Sequence, residues 1–181
     1  QEPNYSSVAA RLLLDNLRAE GLSFLDVAES ATQGDMTTYY PPALKSFIRR
    51  GIELELLAPN LADYDLDMLG EALLPERDLQ FSYLGLQTLY DRYFIHSDET
   101  RFELPQLFFM RVAMGLATRE DDKNARAIEF YQLLSSFDYM SSTPTLFNSG
   151  TLRPQLSSCY LTTVPDDLHG IYGAIQDNDM R

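Results

Sequence analysis

What this chain lacks narrows its chemistry before any motif is considered. It has one cysteine, Cys159, and no tryptophan. A single thiol excludes an internal disulfide framework. Its two histidines, His96 and His169, stand far apart, and no metal site is expected from them. Basic residues are scarce: 14 Lys and Arg stand against 27 Asp and Glu, a formal net charge of −13. Residues 61–100 alone hold nine acidic and two basic side chains. A surface of that sign repels phosphodiester backbones, so nucleic acid is not an expected partner. A small phosphorylated ligand is still admissible, because backbone N–H groups can hold it. Otherwise the acidic excess serves solubility. No apolar run is long enough to span a bilayer, and LPQLFFMRVAMGLA is interrupted by Arg111. No export signal opens the chain, so no membrane association and a cytoplasmic location are expected.

What is present is a strong helical pattern over residues 1–140. With 181 residues and 45% hydrophobic content, the chain can bury a real core. Ser6 or Ser7 is placed to cap a first helix, VAARLLLDNLRAEG, with Val8, Leu12 and Leu13 on one side and Gly21 as its stop. YYPPALKSFIRRGIELELL predicts a second, opened by its prolines, with Leu44, Phe47, Ile48 and Ile52 on one face. DLDMLGEALL predicts a short acidic helix ending at Pro75, and FSYLGLQTLYDRYF one with Leu84, Leu89, Tyr93 and Phe94 inward. ELPQLFFMRVAMGLAT begins at a proline and turns Phe108, Phe109, Val112 and Leu116 inward, and NARAIEFYQLLSSF is the last long helix.

After Tyr139 the character changes. SSTPTLFNSGTLRPQ has the composition of a loop with a turn at Asn148–Gly150. LSSCYLTTV favours the pleated state, and DDLHGIYGAIQDN begins a helix. The expected organisation is therefore a helical domain over 1–140 and the first strand and helix of a sheet-containing unit over 141–181. One strand needs neighbours. Either residues 140–150 pair with it as a hairpin, or its partners lie beyond Arg181. Residues after about 140 are expected to be poorly held.

Three segments are candidates for chemistry. Cys159 is either an inert small hydrophobe or a reactive thiol at a polar strand end, without a resolving partner in the chain. Thr143-Pro144-Thr145 and the turn that follows offer hydroxyls and N–H groups for a phosphate, or form an ordinary linker. Asp166-Asp167 caps the last helix, or accepts hydrogen bonds from a sugar hydroxyl. No Gly-rich phosphate loop, Ser/His/Asp set or paired acids at metal spacing is present.

Taken together, YSSVAARLLL, YYPPAL, RDLQFSYLGLQTLYDRYF, ELPQLFFMRVAMGLA and STPTLFNSGTLRPQLSSCYL resemble, in order and spacing, the large (catalytic, alpha) subunit of aerobic ribonucleoside-diphosphate reductase. The resemblance covers nearly the whole chain. It implies a mainly α fold, a helical N-terminal domain beside an α/β barrel of which residues 156–164 would be the first strand. It implies that Cys159 is half of a redox dithiol, and that Thr143 and Ser158 contact a ribonucleoside diphosphate. Asp166, Asp167 and Leu168 would begin a deoxynucleotide effector site at a dimer interface. The implied partners are a second alpha subunit, a radical-generating, metal-containing beta subunit, and thioredoxin or glutaredoxin, with ATP and dNTPs as effectors.

The departures matter as much. The second redox cysteine, the radical cysteine and the C-terminal cysteine pair of such subunits are absent from these residues. The chain would carry roughly a quarter of a subunit, bind no cofactor of its own and be inactive alone. The competing expectation is a non-catalytic helical interaction or nucleotide-sensing module of the same descent.

Overall fold

Phe102 through Met114 is buried at every position, so the helix formed there must be surrounded on all sides. That requirement organises the computed structural model, which describes residues 3–159 and 161–179. Its helices are α1 (Pro3–Phe24), α2 (Met36–Glu53), α3 (Leu66–Glu71), α4 (Tyr83–Arg92), α5 (Pro105–Ala117), α6 (Lys123–Ser135), α7 (Thr143–Asn148) and α8 (Leu168–Asp179). Two 3-10 turns, Pro59–Asp63 and Pro75–Gln80, link α2 to α3 and α3 to α4. Strands β1 (His96–Ser97) and β2 (Thr100–Arg101) form a two-stranded antiparallel hairpin. The fold is mainly α.

The central helix is α5. It packs chiefly on α6 and also against α2, α7 and the 3-10 turn at Pro75. Helix α1 lies along α4 and β2, while α3 rides on α2. Phe47, Phe102, Phe108 and Phe109 are fully buried, each burial contributing about 1.5–3 kcal/mol. Helix starts follow local chemistry. Asp65, Ser82 and Asp122 accept from the N–H groups of Met68, Gly85 and Ala125 at 3.0, 3.2 and 3.1 Å. Asp167 caps α8 likewise, accepting from Gly170 N–H at 2.8 Å, as expected.

Several expectations are corrected. Helix α1 starts at Pro3 rather than after Ser6 or Ser7, and runs through Gly21 to Phe24. Its buried face is Ala10, Leu14 and Leu17, with Val8 and Leu12 exposed. The triple leucine admits either face, and Gly21 decides between them: its Cα sits so close to Leu104 that an added Cβ would be 3.1 Å from Leu104 Cδ2. Helix α1 ends instead at Asp26, left-handed at φ 56°, where Val27 N–H reaches back to Leu22 C=O at 3.0 Å. Pro41 and Pro42 do not open α2 but lie in its second turn, past Met36. Helix α3 stops before Ala72, and Pro75 opens the next 3-10 turn. In α4, Leu84 is 74% exposed and Leu86 takes the buried position. The other inward assignments hold for Leu44, Phe47, Ile48, Phe94, Phe108, Phe109 and Val112, with Ile52, Leu89, Tyr93 and Leu116 partly buried.

Residues 141–164 differ most. The loop read over SSTPTLFNSG contains α7, so it does not supply a hairpin partner. No strand forms over residues 156–159 or 161–164, and Tyr160 lies outside the described residues. Thr151 makes an isolated bridge with Leu57 instead. An extended segment without a neighbouring edge has no ladder to join.

A polar network crosses the core. Asp78 is fully buried and accepts from Tyr40 Oη at 2.8 Å and Gln106 Nε2 at 2.7 Å, with Arg18 Nη2 at 3.6 Å. Gln106 in turn accepts from Tyr131 Oη at 2.7 Å, and Tyr131 Oη accepts from Leu74 N–H at 2.9 Å. Burial pushes the Asp78 carboxyl up from 3.8 to about 6, against the opposing pull of Gln106, Tyr40 and Arg18. Because the folded pKa is raised, the stability it contributes is complete below about pH 4 and lost as pH rises through 6. The difference in unfolding free energy between the native chain and Asp78→Asn should therefore fall by about 2 kcal/mol from pH 4 to pH 7. Urea unfolding of both proteins across that range checks it. A flat or rising difference contradicts it.

Candidate functional site

Arg111 sits mid-way along α5 with no exposed surface. A buried guanidinium is tolerated only when paired and hydrogen-bonded. Its Nε and Nη2 reach the two carboxylate oxygens of Glu103, also fully buried, at 2.6 and 3.2 Å. The fork geometry matches the carboxylate on two atoms at once. Glu103 additionally accepts from Ile95 N–H at 2.8 Å, which ties the approach to β1 into the pair.

The remaining donors of Arg111 point at the end of α7. Nη1 donates to Ser149 C=O at 2.7 Å and Phe147 C=O at 3.4 Å, and Nη2 to Leu146 C=O at 3.3 Å. A helix leaves its last carbonyl groups without intrahelical donors, and a cation there also meets the negative end of the dipole. Ser149 is buried and its Oγ donates to Val112 C=O at 2.7 Å. Next comes Gly150, left-handed at φ 76° and so close to α5 that a Cβ would be 2.8 Å from Arg111 C=O. Gly115 gives the matching flat spot: a Cβ there would lie 2.1 Å from Gly150 N. The chain then runs beside the segment after α2, with Ala58 N–H to Gly150 C=O at 3.0 Å and Leu152 N–H to Leu56 C=O at 3.1 Å. Residues 143–152 are thus clamped to the helical body, correcting the expectation that everything after 140 is loosely held.

The sequence-predicted residues are distributed along this path. Thr143 opens α7, exposed, with its hydroxyl 3.3 Å from Tyr93 Oη. Tyr93 also stacks on Phe147, ring centroids 4.5 Å apart, so one tyrosine touches both ends of α7. Ser158 and Cys159 are exposed and lie just past Gln155 and Leu156, whose carbonyls are bonded by α7 side chains. Asp166, Asp167 and Leu168 are exposed at the start of α8. Thr143 and the residues just before Ser158 and Cys159 are brought to one helix.

Two clefts lie along this path. One, about 540 Å³, is lined by Leu116, Leu133, Tyr139, Ser142 and Thr145 among others. The other, about 520 Å³, runs from Asn60 and Arg119 past Gly150 to Leu156. Neither is lined by Thr143, Ser158 or Cys159. Among the described residues no group of three His, Cys, Asp or Glu is disposed to hold a metal ion. No helix among them is long and apolar enough to cross a membrane.

Sequence analysis missed Arg111, Glu103, Tyr93 and Asn148 as parts of this assembly. The signal for the first two was present: a charge inside LPQLFFMRVAMGLA demands a counter-charge, and Glu103 stands eight residues away.

Comparison with known proteins places residues 79–154 in the ribonucleotide reductase all-alpha domain. Over its whole length the chain is similar to ribonucleoside-diphosphate reductase subunit alpha of Chlamydia muridarum, 52% identical over 99% of this chain and 17% of that protein. It is 38% identical to the Helicobacter pylori subunit alpha and 38% identical to the Danio rerio large subunit, in each case over 97% of this chain and 21% of the relative. The chain thus spans about a fifth of the length of the relatives it matches, somewhat less than the expected quarter.

Replacing Arg111 by Met should cost about 3–5 kcal/mol, because Glu103 is left buried without its counter-charge. Urea unfolding measures it. A loss below about 1 kcal/mol, the level of a surface pair, would remove the clamp from its anchoring role.

Proposed function

The chain belongs to the family of ribonucleoside-diphosphate reductase large subunits, and from that premise we propose that it forms the N-terminal helical part of a subunit that reduces ribonucleoside diphosphates to deoxyribonucleoside diphosphates. The observation that carries this proposal is similarity to such subunits over 97–99% of the chain. Exposure of Cys159 supports it, since a redox thiol must meet substrate and reductant.

The chemistry has a simple balance. Replacing a ribose 2′-hydroxyl by hydrogen takes two electrons and two protons, and the oxygen leaves as water. Two thiols supply both on closing to a disulfide. Cys159 is one of them; with one cysteine among these 181 residues, the second thiol comes from outside them. Thr143 and Ser158 are proposed to contact the nucleoside diphosphate through their hydroxyls. Asp166, Asp167 and Leu168 are proposed to begin an allosteric effector site for ATP or a deoxynucleotide, with α8 pairing against a second alpha subunit. The radical that starts the reaction is assigned to a metal-containing beta subunit, and re-reduction of the disulfide to thioredoxin or glutaredoxin, in the cytoplasm and in the service of DNA replication.

A reductase assay tests the proposal. The 181-residue chain alone should form no deoxynucleotide. A large subunit containing it, with beta subunit and thioredoxin, should turn over, and Cys159→Ser in that subunit should abolish multiple turnovers while leaving nucleoside diphosphate binding within about twofold, since binding rests on other groups. Undiminished turnover of Cys159→Ser would refute the redox role.

A further inference from the structure

Helix α7 grips the chain that follows it. Thr145 and Asn148 are three residues apart and share a helix face. Asn148 Nδ2 donates to Gln155 C=O at 2.7 Å, and Thr145 Oγ1 donates to Leu156 C=O at 3.4 Å. Those carbonyls lie four and three residues before Cys159. Thr143 stands at the other end of the same helix, and Arg111 holds that helix to the core through its final carbonyls.

We propose that α7 is a fixed spacer between the two halves of the reductase site, and that Asn148 is a positioning residue for the Cys159 thiol. This rests on the assignment of Cys159 as the redox thiol and Thr143 as a substrate contact. The reach of the chain bounds the effect. From Gln155 the four residues to Cys159 span at most about 14 Å, whereas from Leu152, bonded to Leu56, seven residues span at most about 25 Å. Losing both α7 bonds removes two anchors that stand shortly before the thiol in the chain.

Cys159, as the only cysteine, can carry a nitroxide in the 181-residue chain. In the native protein, relaxation enhancement of amide resonances should concentrate on α7. Asn148→Ala should lower the α7 enhancement, and the double variant with Thr145→Val should cut it several-fold, while the melting temperature stays unchanged. Asn148→Asp, which keeps the shape and loses the donor, must behave as Asn148→Ala does; a role through volume alone would spare it. Should Asn148→Ala fail to fold, Thr145→Val on the same face provides the same readout. Enhancement at α7 unchanged in Asn148→Ala, or in Thr145→Val where that stands in, overturns the proposal, as does native behaviour of Asn148→Asp. No nucleotide enters this measurement, so its failure and the failure of the reductase assignment are separately visible.

Discussion

One buried ion pair sets the conditions for the rest of the molecule. Arg111 and Glu103 are both without solvent exposure, so neither charge can be satisfied by water. Separating them leaves a buried charge, and hydrophobic substitution of one partner does not repair that. Evolution of the surrounding sequence is therefore constrained at points far apart in the chain. Ile95 N–H must arrive at Glu103, and the carbonyls of Leu146, Phe147 and Ser149 must arrive at Arg111. Gly115 and Gly150 are the steric counterpart, since any Cβ at either would push the two backbones apart.

The consequence runs from packing to site. The core of α5 is a structural necessity of an all-round buried helix, and the clamp converts it into a reference point for a segment that would otherwise be loop. Through α7 that reference reaches Thr143 on one side and Gln155–Leu156 on the other. The exposed thiol hangs a few residues beyond the last of these bonds. A reductive site needs the sugar and the thiol held in register, since misplacement of about 1 Å can cost 10²-fold in rate. Under the proposed function, the helical body supplies the anchored part of that register.

Much of this fold was legible in the sequence because amphipathic period and caps act locally. Asp167 was legible as a cap, and the buried face of α2 followed from spacing. The errors share one cause, tertiary context overriding a local rule. Gly21 reads as a stop, yet its missing side chain lets α1 approach Leu104, and the stop falls at Asp26. Likewise Glu55 and Phe137, not glycines, take the left-handed residue after α2 and α6. Pro41 and Pro42 are tolerated inside α2, where the packing of α3 against Pro41 at Gly70 accompanies the lost hydrogen bonds. The pleated preference of LSSCYLTTV is real, but a strand is a property of a sheet, and among the described residues the only sheet is the β1–β2 hairpin. At the site, the thiol, Thr143 and the cap at Asp167 were visible as residue types. The clamp was invisible as a clamp, because nothing local says that Arg111 ends up under the last turn of a helix 35 residues later.

Amide hydrogen exchange of the native chain tests the clamp most directly. Ser149, Thr151 and Leu152 donate their N–H groups to Thr145, Asn148 and Leu56 in a segment whose composition is that of a loop. If the buried pair pins this segment, Ser149 and Leu152 should exchange only as slowly as the amides of α5, by the same global opening. Exchange at the rate of an unprotected loop, with α5 still protected, would contradict the account.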